Sequence, residues 1–232
     1  IEGNIIYRAG GTDVAVADGG TGLSSYAQGD IIYASATTTI AKLAKVGSDR
    51  VLTNTGTSNN PKWLPYSSVC FLKGTKITLP NKKYSIIEDL TLDDKVLTYN
   101  IEGLSDIKDK NKVSRWQTDK MKGTLSESGI RNIWINPTDS YLIINNKLRV
   151  TTHHLIHFKR DNIYYFNFTE QLLVGDELLT DSEKYEEVVS IVTVEDNINV
   201  YNFELDKDHT YFADSFLVHH YCKLCSGYST II

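Results

Sequence analysis

Cys70 is the residue of this chain best suited to nucleophilic chemistry, and a small set of later residues could assist it. A thiol attacks as its thiolate, and at an ordinary pKa near 8.5 only a few per cent is ionised at pH 7. It therefore needs a base or a positive neighbour. An amide nitrogen leaving from a thiol adduct needs a proton donor. Histidine can serve in either role near neutrality. The run Thr151-Thr152-His153-His154 follows an apolar stretch and reads as the end of a strand. His209 sits in Asp206-Lys207-Asp208-His209-Thr210, and His219 and His220 follow Phe216-Leu217-Val218. Each has a plainer reading when taken singly. Cys70 beside Phe71 could be a small buried hydrophobe, a strand histidine a structural hydrogen-bonder, and His209 a turn residue. His153 and His157 compete with His154.

Composition narrows the classes. The chain has 232 residues, 41% hydrophobic, with net charge −5. That is enough for one or two domains with a real core. No basic patch argues for nucleic acid. No apolar run approaches the ~18 residues of a membrane span. A chain opening on Ile1 reads as a piece of a longer protein. Its three cysteines, Cys70, Cys222 and Cys225, cannot make a disulfide framework and leave at least one free thiol or ligand. Cys222-Lys223-Leu224-Cys225 beside His219 and His220 could offer zinc donors. Adjacent histidines on a strand point to opposite faces, however, so neither a metal site nor a cofactor is expected.

The elements that would position these residues are strands. Residues 1–66 are rich in Gly, Ser, Thr and Ala, with β-prone runs at 4–7, 30–34 and 50–53 between turn signals. A short helical turn is expected at 39–45. From residue 70, charge and aromatics rise. Strand-like segments are expected at 83–87, 95–99, 141–144, 147–151, 163–168, 186–194 and 199–205. The polar stretch 101–136 reads as a loop or hairpin excursion. An internal echo aligns 88–98 with 170–180, with Glu, Leu, Asp, Leu and Thr at equal offsets. It predicts a repeated unit related by a pseudo-two-fold axis. The fold class is all-β, divided as 1–69, 70–220 and a tail at 221–232.

Cys70-Phe71-Leu72-Lys73-Gly74-Thr75, then Thr151 and His154 in a Thr-x-x-His, then His209, then His219, resembles the Hint (hedgehog/intein) self-processing family over roughly 70–220. The resemblance implies a horseshoe-like β fold and an autocatalytic, single-turnover activity on the chain itself. Cys70 would attack the carbonyl of Val69 in an N–S acyl shift, making Val69–Cys70 the scissile bond. His154 would hydrogen-bond and protonate the Cys70 nitrogen, with Thr151 orienting that peptide. His209 would support later steps, and His219 would match the penultimate histidine. The mechanism requires Cys70 close to His219 and His220, and a strained or cis Val69–Cys70 peptide would fit it.

The sequence departs from the family pattern in places. His220 stands where splicing inteins have Asn, and an imidazole cannot cyclise to a succinimide. Tyr221 follows, a poor acyl acceptor with a pKa of ~10. Cys222 is the nearest alternative acceptor. Asn202 stands where many members carry Asp. N-terminal cleavage is thus expected, with the thioester resolved by water, a small thiol or amine, or Cys222. The alternative is an inactive relic serving as a structural module. Residues 15–65, through Gly19-Gly20-Thr21-Gly22, Gly29-Asp30-Ile31-Ile32-Tyr33 and Pro61-Lys62-Trp63, resemble a bacteriophage tail-fibre module. That implies a trimeric or fibrous assembly, processed in a host cytoplasm and carried into a virion tail. The chain's own flanking sequences would be its partners.

Overall fold

The computed structural model describes residues 20–46, 50–53, 60–65, 69–104 and 110–220. The expected strand at 4–7 and the residues Tyr221, Cys222 and Cys225 lie outside them. The chain divides into two compact units, Ile1–Tyr66 and Ser67–Ile232.

The first unit holds two hairpins. Strands β1 (Ile31–Ala36) and β2 (Thr39–Leu43) pair antiparallel, as do β3 (Arg50–Thr53) and β4 (Lys62–Pro65). The segment expected to be a helical turn at 39–45 is thus a strand. Its Thr, Ile and Leu residues suit a pleated, half-buried surface, and pairing with β1 decides the outcome. Asp30 ties the hairpin, accepting from the N–H groups of Ala27 and Lys45 at 2.8 and 3.1 Å.

The second unit is built on β5 (Phe71–Leu72), β6 (Lys76–Thr78), β7 (Tyr84–Ile86), β8 (Lys95–Ile101), β9 (Gln117–Thr118), β10 (Gly123–Ile144), β11 (Leu148–Val150), β12 (Leu155–Arg160), β13 (Ile163–Phe168), β14 (Glu177–Leu179), β15 (Tyr185–Glu187), β16 (Ile191–Leu205), β17 (Thr210–Ala213) and β18 (Phe216–His219). One sheet runs β11-β5-β16-β10-β8, with β10 also pairing β11. The other runs β15-β14-β12-β18-β17-β6-β7, with β13 on β12 and β9 on β13. Phe71, Ile144, Leu148, Ile156, Phe203, Tyr211, Phe216 and their neighbours form the main core. Apart from one helical turn, Lys110–Val113, and two 3₁₀ turns, the described secondary structure is β.

Two expected boundaries change. The excursion at 101–136 contains the first part of β10, a 22-residue strand that pairs first with β8 and then with β16. It passes from one partner to the other at Gly129, where an added Cβ would lie 2.8 Å from Asp206 Oδ2. A larger residue there would require the end of the Asp206 side chain to turn away. The strand expected over 186–194 breaks into β15 and β16. The N–H groups at the break are engaged elsewhere: Val188 donates to Asp176 O at 2.7 Å, and Val189 and Ser190 donate to Asn145 Oδ1 at 2.8 and 3.3 Å.

The sequence echo recurs as structure. The 3₁₀ turns Ile87–Asp89 and Thr169–Gln171 are each flanked by extended residues with nearly equal dihedrals. Each leads into a turn closed by an aspartate. Asp94 Oδ2 accepts from Thr91 N–H at 2.8 Å, and Asp176 Oδ2 from Leu173 N–H at 2.8 Å. The two copies differ in burial. Asp176 is 2% exposed and holds Arg160 through both carboxylate oxygens, at 2.6 and 2.7 Å.

Asp176→Ala removes a buried, bidentate ion pair and should cost about 3 kcal/mol. Asp94→Ala removes only a turn cap and should cost about 1 kcal/mol. Urea unfolding of the two variants checks the difference.

Candidate active site

The site is assembled at strand ends. Cys70 immediately precedes β5, which lies between β11 and β16. Thr151 immediately follows β11, and the turn from Thr151 to His154 leads into β12. Strand β18 pairs with β12 at Leu155↔His219 and with β17 at Thr210↔His219. One register thus brings His154, His209, His219 and His220 to the same end of three adjacent strands.

Thr151 grips Cys70 on both sides. Cys70 N–H donates to Thr151 Oγ1 at 2.9 Å, and Thr151 N–H donates to Cys70 O at 3.0 Å. The Thr151 hydroxyl also donates to Cys70 O at 3.2 Å. Thr169 fixes the loop from the other side. Its hydroxyl reaches the carbonyls of Thr151 and Thr152, both at 2.8 Å, and its N–H donates to His154 O at 2.8 Å. The turn after Cys70 needs Gly74, at φ +83°, whose N–H donates to Glu88 at 2.7 Å. Thr75 closes that turn onto Leu72 O at 2.7 Å.

The competing histidines separate. The ring of His154 is fully buried, 4.2 Å from that of Phe71. His153 turns outward, 3.8 Å from Glu170. His157 sits in the core, 3.2 Å from the Tyr185 hydroxyl, and burial lowers its pKa to about 3.

His209 is held by its neighbours. Asp208 accepts from Thr98 Oγ1 at 2.8 Å and Asn100 Nδ2 at 2.9 Å, and Thr210 Oγ1 donates to Tyr99 O at 2.7 Å. Its ring lies 4.8 Å from that of His220 and 5.8 Å from that of His219. His209 Nδ1 and His220 Nε2 share a hydrogen bond at 3.3 Å, and His220 N–H donates to His209 O at 2.7 Å. His219 is buried beside Phe166, with no hydrogen-bond partner on either ring nitrogen among the described residues. Burial, reinforced by His209 and His154, lowers its pKa to about 3. His220 moves the same way, through burial and then the neighbouring histidines. Both rings are neutral at pH 7.

Val69 is buried, 5% exposed. The described residues contain no cis peptide, so a cis Val69–Cys70 bond is not the form found. Among the described residues no cluster of His, Cys, Asp and Glu is arranged to hold a metal ion. Two contacts had no signal in the sequence. Asn136 Nδ2 lies 3.6 Å from Cys70 Sγ. Tyr211, fully buried, has its pKa pushed up by burial and by Cys70, and its hydroxyl donates to Asn202 Oδ1 at 3.4 Å.

No protein-family model matches the chain, and no curated protein is significantly similar to it. Among solved structures it is similar to a bacterial intein-like domain from Clostridium thermocellum. That match has 24% identity and a TM-score of 0.52, over 66% of this chain and 100% of that one. Unit 1 ends at Tyr66 of a 232-residue chain and is too short to supply that share. The second unit has the intein fold. A DnaB intein from Synechocystis (16% identity, TM-score 0.43, 66% of this chain and 99% of that one) and the gp41-1 intein (15%, 0.44, 65% and 98%) are also similar. The intein-like fold explains why the ends of β5, β11, β12, β17 and β18 converge, and it agrees with the all-β, horseshoe-type expectation.

The buried histidines set a pH dependence. Below pH 6.5 the unfolded chain takes up protons that folded His157 and His219 refuse until about pH 3. Stability should therefore fall on acidification across that window, by about 1.4 kcal/mol per pH unit for each group. Urea unfolding at pH 7, 6 and 5 should show this. His157→Phe should make the slope shallower by about that amount.

Proposed function

We propose that the second unit is an autocatalytic self-processing domain whose substrate is its own Val69–Cys70 bond. The observation that carries this reading is the grip of Thr151 on both sides of the Cys70 residue. It holds fixed the amide nitrogen that would have to leave.

Cys70 Sγ attacks the Val69 carbonyl carbon and loses its proton. The C–N bond of the tetrahedral adduct breaks, and the Cys70 nitrogen takes up a proton and becomes an amine. The product is a thioester between Val69 and Cys70 Sγ, an isomer of the starting chain. His154, buried against Phe71, is the donor to the departing nitrogen. His219, neutral at pH 7 and with no side-chain hydrogen-bond partner on its ring nitrogens among the described residues, is available to the developing charge. Water, a small thiol or an amine then takes the acyl group, releasing a fragment that ends at Val69 and regenerating the thiol. The step is single-turnover and needs no cofactor.

His220 leaves no side-chain amide to cyclise, so the bond after it stays uncut by that route. Its hydrogen bond to His209 favours a second reading, in which this end of the domain is locked and the fold is a structural relic. The first unit, with its two hairpins, is proposed as the fibre-like segment that is released, in keeping with its resemblance to a tail-fibre module and with transfer from host cytoplasm to virion.

Intact mass spectrometry over time, with and without added thiol or hydroxylamine, tests the reading. A fragment ending at Val69 should accumulate, carry the hydroxylamine adduct, and vanish in Cys70→Ala. His154→Ala should slow its appearance by about 10²–10⁴-fold. A chain that stays whole under every condition supports the relic.

A further inference from the structure

The thiol of Cys70 lies in apolar surroundings. It packs with buried Leu72 and Val200, against Tyr141 and Ile198. Such a lining disfavours the thiolate. Strand register sets what polar groups can offset it. Leu72 faces Val200, and Phe71 faces Tyr201. Continued by one residue, the same register sets Cys70 opposite Asn202. That side chain carries no ionisable group. Its oxygen is engaged by Phe203 N–H at 2.9 Å and the Tyr211 hydroxyl at 3.4 Å. On the far side of β16, Asn136 of β10 faces Val200, and its amide nitrogen reaches Cys70 Sγ at 3.6 Å.

We propose that Asn136 is a positioning residue for the acyl shift, donating an N–H to Cys70 Sγ that fixes the sulfur and favours its ionised form. An amide N–H can donate to a thiolate, and a hydrogen bond to the charged form favours that form. Placed on a long strand paired along most of its length, Asn136 has little freedom to withdraw. In this chain an amide thus contributes to poising the thiol where no carboxylate base is available at position 202. The role rests on the proposed acyl shift. The contact itself does not.

The test separates the two. In a chain carrying Cys222→Ser, Cys225→Ser and His154→Ala, Cys70 is the sole cysteine and cleavage is suppressed. Its ionisation is then followed by the ¹³Cβ shift of labelled cysteine. Asn136→Leu should raise the thiol pKa by about one pH unit, a tenfold loss of thiolate at neutral pH. Asn136→Asp, nearly isosteric, should raise it further by placing a carboxylate beside the sulfur, and it serves if the leucine variant does not fold. With His154 restored, the rising limb of the pH–rate profile for release at Val69 should move by the same amount. An unchanged or lowered thiol pKa in both variants overturns the proposal, even if cleavage slows. A parent chain that never cleaves defeats the self-processing reading, while the titration still decides the role of Asn136.

Discussion

The reciprocal hydrogen bonding between Cys70 and Thr151 is the constraint on which the second unit depends. Strand β5 is only two residues long, yet it sits between β11 and β16. So short a strand has few ladder bonds of its own. Its position is secured by Thr151 at one end and by the Gly74–Thr75 turn at the other. Phe71, fully buried between them, adds a side-chain anchor worth roughly 1.5–3 kcal/mol on burial. The same bonds that hold the sheet together thus hold the Val69–Cys70 peptide. Any drift of β5 would therefore be felt at that peptide bond.

The histidine cluster carries a cost that packing alone would not retain. A buried polar atom without a partner typically costs ~1–3 kcal/mol, and both ring nitrogens of His219 are in that state among the described residues. Leucine in the same place would avoid the penalty. Unsatisfied buried groups in a native fold call for an explanation, and perturbed titratable groups gather where chemistry is done. Strand register supplies the reason these rings meet. Pairing Thr210 and Leu155 with His219 leaves no freedom for His209, His154 and His220 to be elsewhere. The cost is borne by a sheet whose large apolar core can absorb it.

What the sequence revealed follows from how local each feature is. The repeated units of the internal echo at 88–98 and 170–180 depend on a few neighbouring residues, and the echo stands out in the sequence. Cys70, Thr151, His154, His209 and His219 stood out because residue type and order carry their chemistry. The first half of β10 did not stand out. Its residues from Gly123 onward are mostly exposed or half-buried, so they show no continuous apolar alternation. Pro137 within it, paired opposite Asn199, is a residue usually confined to edges and bulges. Only the partners β8 and β16 make this stretch a strand. Asn136 was hidden for the same reason. Its contact spans 66 residues and exists only once β5, β16 and β10 lie side by side.

The departures at 202 and 220 are built into the packing. Asn202 is 1% exposed, and its oxygen receives both the Phe203 N–H and the Tyr211 hydroxyl. An aspartate there would have to be buried against the Tyr211 hydroxyl, where an ionised carboxylate is disfavoured by desolvation. His220 is likewise joined to His209 through both backbone and side chain. The site therefore gathers the neutral amides of Asn136 and Asn202 with the neutral imidazoles of His219 and His220. Such a set suits a reaction that moves a proton from sulfur to nitrogen without creating a lasting charge. It does not suit one that ends in cyclisation of a terminal amide, because position 220 has no amide to cyclise.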